Sequence, residues 1–460
     1  MFLIVQILKR HKNFLIFLFL SSFLIRALLF SLYLSRDKNY WNYDSPVYHN
    51  TAIQIVDGKG IVNLEGKTEF YRVPGYSLFL SACYKMFGTD IKMALWIQVF
   101  IASFIPIFVF LLSLILFPEN FLLAKASSII SAFHLGYVLF SGLEMTESFF
   151  IFFLSIFFIL FFSHIYFWAG IFLGIASLIR PVGHYLILVS IFLLIISKFD
   201  FVKKVILRPG GFRSQVKKSF ILFLGWFLIV FWWLLRNWLF TGYLFFHTLP
   251  GIHFFKHSAA RLRSSLDNCS YSLALDNITK DANKLQNKKE IEFGRKLNEI
   301  EHCKLLEKIS VDYFKVDPLL TLRHCLLNMF KTCFSLYSAE LLFITSGGQL
   351  PEYNNKRGWS DLFARFLFPQ TTNLFLKIII YLEIIFLFFL WIGFVGSIFD
   401  LLFLKKQFFL LFQILSFIGL FVFVSLACGF ARLRLPVESF LIVLSFRFWL
   451  NFLGTNRTRE

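Results

Sequence analysis

The chain has 460 residues, of which 58% are hydrophobic and only 16% charged, with a mean hydropathy of +0.70. So little polar surface cannot cover a soluble protein of this size, which leaves the bilayer as its solvent. A formal net charge of +19 would suit nucleic acid, but the basic residues stand in short clusters between apolar runs, so the implied partner is membrane lipid and no nucleic acid.

In chain order, Lys9, Arg10 and Lys12 precede a first apolar run at 13–34, long enough to cross the roughly 30 Å hydrocarbon core and without a convincing cleavage site. Further spans are predicted at 91–117, 122–141, 147–163, 165–180, 183–197, 219–239, 374–399, 407–428 and 437–453, each a helix because only a helix satisfies its own backbone in lipid. The fold class is therefore an all-α polytopic membrane protein of about ten spans with two extracytoplasmic segments. Basic linkers (Lys198, Lys203, Lys204, Arg208, Arg213, Lys217 and Lys218; Lys405 and Lys406) and the tail arginines Arg457 and Arg459 all fall on one side, the cytoplasmic one.

Two long segments then face outward, 36–90 and 240–373. They divide the chain into an N-terminal transmembrane module at 1–239 that includes the first outer loop, an extracytoplasmic segment at 240–373, and C-terminal spans at 374–460. The second segment carries helical patterns at 282–309 and 318–335, and its Cys269, Cys303, Cys325 and Cys333 have the spacing for one or two disulfides of open connectivity. No Cys-x-x-Cys or paired-His spacing suggests a metal, His134 and His164 read as packing or interfacial residues, and no Gly-rich loop suggests a nucleotide.

Within the first outer loop, Asp44 stands a few residues beyond the first span, where it reads either as a solvated loop acid or as a general base at the mouth of a membrane cavity. It opens a pattern of Asp44, Tyr48 and Ala52, then Gly58-x-Gly60, then Arg72-Val73-Pro74-Gly75-Tyr76. Glu144 and Glu147 follow in Ser141-Gly142-Leu143-Glu144-Met145-Thr146-Glu147, and Arg180-Pro181, Arg236-Asn237 and Ala431-Arg432-Leu433-Arg434-Leu435-Pro436 come in order at predicted outer helix ends.

This series resembles the GT-C glycosyltransferases, and among them the polyprenyl- or dolichyl-phosphate-sugar-dependent, mannosyltransferase-like group related to protein O-mannosyltransferases and the lipid A aminoarabinose transferase. The resemblance implies an inverting transfer of sugar from a polyprenyl-phosphate donor to an acceptor hydroxyl of lipid, glycan or protein, with Asp44 as base. Arg26, Arg72, Arg180, Arg236, Arg432 and Arg434, with Tyr48, Glu144 and Glu147, are the expected substrate-binding residues. Guanidiniums suit that role because they grip phosphate oxygens bidentately and stay charged when desolvated. Many relatives carry a second acid after the aspartate, where this chain has Ser45; Glu65 and Glu69 are the nearby substitutes. A divalent cation stays open, and no other cofactor is implied.

The Phe/Leu/Ile/Lys bias favours a bacterial inner membrane, with the site facing the periplasm. The competing classes are a transporter or lipid flippase, for which midplane charges and repeated halves are expected, and a non-catalytic envelope assembly protein that works through 240–373.

Overall fold

Apolar runs too long for a soluble core become helices in the computed structural model, which describes residues 2–36, 40–41, 44–118, 120–197, 212–345, 371 and 373–454. Lys198, Lys203, Lys204 and Arg208 of the basic linker, Tyr43 in the first outer loop, positions 346–370 of the second outer segment, and Arg457 and Arg459 lie outside the described residues.

After a short α1 (Phe2–Arg10), α2 (Lys12–Leu34) leads into the outer loop, which folds as α3 (Ser45–Val56) and α4 (Gly75–Phe87). Next come α5 (Ile91–Leu116), α6 (Phe121–Phe133), α7 (Leu135–Ser141), α8 (Glu147–Phe162), α9 (Tyr166–Ile179), α10 (Val182–Ile196) and α11 (Phe212–Thr241). Every range predicted to span is helical. Four helices, α2, α5, α11 and the later α17 (Leu374–Leu404), are each long and apolar enough to cross a bilayer, or five counting α6 and α7 together, which are bent by 47° at His134. The remaining apolar helices α8, α9 and α10, and α18 (Phe408–Val424), have 14 to 17 residues each.

Between α11 and α17 the described part of 240–373 is a series of helices joined by turns. Leu249–His253 runs on through Phe254–Ala259 and Ala260–Leu266 as one stretch, α12; then follow α13 (Tyr271–Phe293), α14 (Glu299–Val316), α15 (Pro318–Phe334) and α16 (Ser338–Thr345). The single helical pattern at 282–309 is in fact broken: Gly294 takes a left-handed conformation (φ 63°) that ends α13, and Asn298 caps α14 in a reciprocal box with Glu301. Phe255, Ile278, Leu305, Leu306 and Ile309 give the segment its own small core. All six cysteines are free, so the disulfides anticipated among Cys269, Cys303, Cys325 and Cys333 do not form.

The chain ends with α19 (Ala431–Arg434, tightened over Leu435–Val437) and α20 (Glu438–Phe452). Small residues and Phe rings hold the bundle. Backbone meets backbone where Gly170 of α9 lies against the Leu222 carbonyl and Gly225 of α11 against the Phe167 carbonyl, a close approach that a side chain at either position would prevent. Elsewhere Phe158 contacts Phe417 and Phe440 at ring-centroid distances of 5.1 and 4.8 Å, edge to face, joining α8, α18 and α20. Arg447 of α20 pairs with Asp400 of α17 at 2.6 Å.

A candidate active site at one end of the bundle

Asp44 occupies the position before the first residue of α3, and its carboxylate is not spent on capping that helix. Two hydrogen bonds hold its surroundings to the 142–146 turn, Ser45 Oγ donating to the Glu144 carbonyl at 2.9 Å and the Glu144 N–H to the Tyr40 carbonyl at 2.9 Å, while Gln98 Nε2 of α5 holds the turn itself by donating to the Leu143 carbonyl at 2.7 Å. Ser45, which stands where relatives carry an acid, is thus a buried strut between loop and turn.

Two guanidiniums converge on Asp44. Arg72 Nη2 donates to Oδ1 at 2.7 Å and Arg432 Nη1 to Oδ2 at 3.4 Å. Arg72 is aimed by Glu69, whose Oε1 accepts the Tyr71 and Arg72 backbone N–H groups at 2.7 and 3.1 Å. Its turn is brought to α9 by Gly75, where a Cβ would lie 2.5 Å from the Leu178 carbonyl oxygen, so only glycine allows the approach. The same contact brings up Arg180, which ends α9 and pairs with Glu147, the first residue of α8, at 2.5 Å. Tyr48, one helical turn from Asp44, packs under the Arg72 guanidinium and edge-on to Tyr76.

Burial alone would raise the Asp44 carboxyl pKa; the charges of Arg72, Arg432 and Arg180 outweigh it and hold it below the ordinary value. Asp44 is therefore ionised near neutrality. Glu144 is its opposite. Neither of its buried carboxylate oxygens has a hydrogen-bond partner, its nearest basic atom is His49 Nδ1 at 3.9 Å, and burial pushes it up to about 9, so it is a neutral acid.

Asp44, Tyr48, Arg72, Glu147, Arg180 and Arg432 thus come together, with Glu144 buried in the adjoining turn. Arg236 lies elsewhere: it donates to the Ile61 and Glu69 carbonyls at 3.0 and 3.1 Å and stacks on Trp233, tying the outer loop to α11. Arg434 is fully engaged in the interior, bonded to Glu438 at 2.6 Å and to the Thr332, Cys333 and Ser335 carbonyls at the end of α15. Arg26, 1% exposed, donates to Ser22 and to the Ala132 carbonyl at the α6 end. These three occupy structural positions away from Asp44. Glu65 is exposed and pairs with Lys67.

Histidines were the less expected element. His253 and His257 of α12 lie with their rings 5.0 Å apart, and both feel the charges of Asp44 and Arg432. Burial lowers them to about 3 and about 4, so near neutrality they add no charge. Their four-residue spacing, continued by Arg261, is the one sequence signal that marked them. Among the described residues no three His, Cys, Asp or Glu side chains converge as a metal cage, and both Asp44 oxygens face guanidiniums. The donor set does not fit a divalent cation.

No family model matches the chain, and no curated protein matches it. Among solved structures, it matches the oligosaccharyltransferase of Archaeoglobus fulgidus in its apo form, with a TM-score of 0.54 at 12% identity over 97% of this chain and 52% of that one. It also matches the archaeal oligosaccharyltransferase AglB of the same organism in complex with an inhibitory peptide and a dolichol-phosphate, with a TM-score of 0.51 at 12% identity over 97% of this chain and 51% of that one. The chain spans about half the length of these structures. What it shares with them is the fold.

Proposed function

We propose that the chain is a GT-C type inverting glycosyltransferase that moves a sugar from a polyprenyl-phosphate donor to an acceptor hydroxyl. The observation that carries this reading is Asp44, ionised and held between Arg72 and Arg432 beside the Arg180–Glu147 pair, at one end of a bundle of apolar helices. Its agreement in fold with oligosaccharyltransferases, one of them solved with a dolichol-phosphate, supports the same class of donor.

The geometry suggests how base and phosphate sites work together. When the donor phosphate arrives, Arg72 and Arg432 turn from Asp44 to the phosphate oxygens, where they offset the charge that gathers as the sugar–phosphate bond breaks. Losing those charges raises the proton affinity of Asp44 at the moment it is needed. The acceptor oxygen then attacks the anomeric carbon from the side opposite the phosphate. Its proton goes to Asp44, and the bonding pair of the broken C–O bond leaves with the phosphate.

On this reading about ten helices cross a bacterial inner membrane, the Asp44 face is periplasmic, and 240–373 shapes acceptor choice. An apolar cavity of about 490 Å³ between α2, α6, α7, α16 and α17, lined by Ile25, Leu29, Phe133, Val138, Leu341 and Leu376, offers room for an isoprenoid chain. The test is Asp44→Asn in purified, folded form, assayed with lipid-linked sugar in membranes. Transfer should fall by about 10²- to 10⁴-fold, the usual contribution of a general base, and near-normal transfer would remove Asp44 from the role. Mass spectrometry of envelope lipids and glycans from cells with and without the protein identifies sugar and acceptor.

A further inference from the structure

Within 240–373 the helices differ in what they turn outward. α13 exposes Lys280, Lys284 and Lys288, and α14 exposes Lys304 and Lys308, as helices bathed in water do. α15 exposes leucines instead. Leu319, Leu322 and Leu326 are 76%, 54% and 53% exposed, and steps of three and four residues set them on one face.

The opposite face of α15 is the packed one. Asn328 and Thr332 are buried, Asn328 Nδ2 donates to the Leu426 carbonyl at 2.9 Å just beyond α18, and Gly429 lies close against the Asn328 carbonyl. α15 is thus held to the bundle with its leucine stripe directed away from that contact.

The stripe leads on to the apolar surface of α17. Four residues after Leu326, the Phe330 ring stacks on Phe334 with centroids 4.6 Å apart, and Phe334 lies 5.4 Å from Trp391 of α17. Trp391 Nε1 also donates to the Cys333 carbonyl at 3.0 Å. Trp391 stands fourteen residues before Lys405, the charge that closes the apolar run of α17. That is roughly 20 Å along the helix axis, which places Trp391 inside the roughly 30 Å hydrocarbon layer that a spanning α17 crosses. Its neighbours Phe388 and Ile392 are exposed, as lipid-facing residues are. The Phe334 end of α15 therefore lies at the depth of the acyl chains, and its leucines line the path from there toward the lysine-bearing face of α14. In water such a stripe is costly; among acyl chains it is at home.

We propose that the Leu319, Leu322 and Leu326 face of α15 is a lipid-contact surface, sunk among the acyl chains of the bilayer that α17 spans, with α15 descending into the membrane from Pro318 to Phe334. The inference rests on α17 as a membrane span and is independent of glycosyl transfer. Arg323, exposed beside the stripe, is long enough to carry its charge to the headgroups. Because carbonyls at the end of α15 hold Arg434, the contact also fixes the level of α19 relative to the lipid, and with it that of Arg432 and Asp44.

The test uses the full chain freed of its native cysteines and carrying one nitroxide-labelled cysteine at a time, in vesicles of phosphatidylcholine and phosphatidylglycerol. Electron paramagnetic resonance then compares collisions with oxygen, which concentrates among acyl chains, and with a polar nickel chelate, which stays in water. Labels at Leu319→Cys, Leu322→Cys and Leu326→Cys should prefer oxygen increasingly in that order, approaching the ratio at Ile385→Cys on the exposed face of α17. The label at Lys284→Cys on α13 should prefer the chelate. A chelate preference at Leu322 and Leu326, with oxygen preferred at Ile385, would overturn the proposal and leave α17 a span. So would poor access to both reagents, which means that protein, from another copy or another segment, covers the stripe. A chelate preference at Ile385 itself would overturn the membrane reading of α17 and the proposal with it. Should a labelled variant fail to fold, the unsubstituted protein provides a second measurement, in vesicles whose phosphatidylcholine carries a diazirine in its acyl chain. Light should attach lipid within 319–326 and not within 276–288, and the reverse pattern would refute the contact.

Discussion

Asp44 and Glu144 show how differently one end of a bundle can treat two carboxyls. Arginine charge outweighs burial at Asp44, whereas burial acts alone at Glu144. Because Asp44 must be ionised to accept a proton and its pKa in the donor-free protein lies below the ordinary carboxylate value, kcat/KM for transfer should persist as pH falls through the usual carboxylate range and fail only below it. Arg72→Ala removes the largest of the attractions, so the acid limb of the pH–rate profile should move to higher pH; an unmoved limb would mean that another group sets it. The paired arginines of α19 give a contrast in stability. Arg434→Ala strands Glu438 in the interior and should cost about 3–5 kcal/mol, visible as lost folded protein, while Arg432→Ala should leave melting nearly unchanged and weaken donor binding. Sequence could nominate all of these arginines because their spacing from helix ends is legible, but it could not sort them. Whether a guanidinium meets Asp44, as Arg432 does, or three backbone carbonyls, as Arg434 does two residues later, depends on where α15 ends, a tertiary fact.

At the level of helices, hydropathy put a helix over every apolar range, because a run that must cross or line a bilayer has few alternatives, although α11 starts seven residues before the predicted 219 and α17 runs five beyond 399. The errors came where hydropathy is silent: the 282–309 pattern is two helices, separated by capping chemistry that a periodicity count passes over. Gly75 shows what a single small residue does for element placement. Gly75→Val puts two methyl groups into the Leu178 backbone and should push the Arg72 turn away from Arg180. Transfer should drop by about tenfold or more while melting falls by no more than an overpacking cost of about 1–3 kcal/mol. A variant whose activity matches wild type would show that the α4–α9 contact does not position the site.

For the molecule as a whole, the orientation inferred from the basic linkers makes a sidedness prediction. In intact cells carrying an otherwise cysteine-free protein, Glu65→Cys in the first outer loop should react with a membrane-impermeant maleimide, and Lys405→Cys, between α17 and α18, only after permeabilisation. Labelling of both from outside would overturn the topology. One feature of the architecture bears on how the substrates influence one another. Arg432 and Arg434 stand two residues apart on a single short helix, one against Asp44 and the other bonded to the end of α15. On the proposed function, that arrangement is a lever with its two arms in different substrates' territory. An acceptor that shifts α15 must tilt the arm that touches the base, and a donor that draws Arg432 away must pull on α15 in return. Thermodynamic reciprocity then requires that each substrate alter the other's affinity by the same factor, so the two should not bind independently.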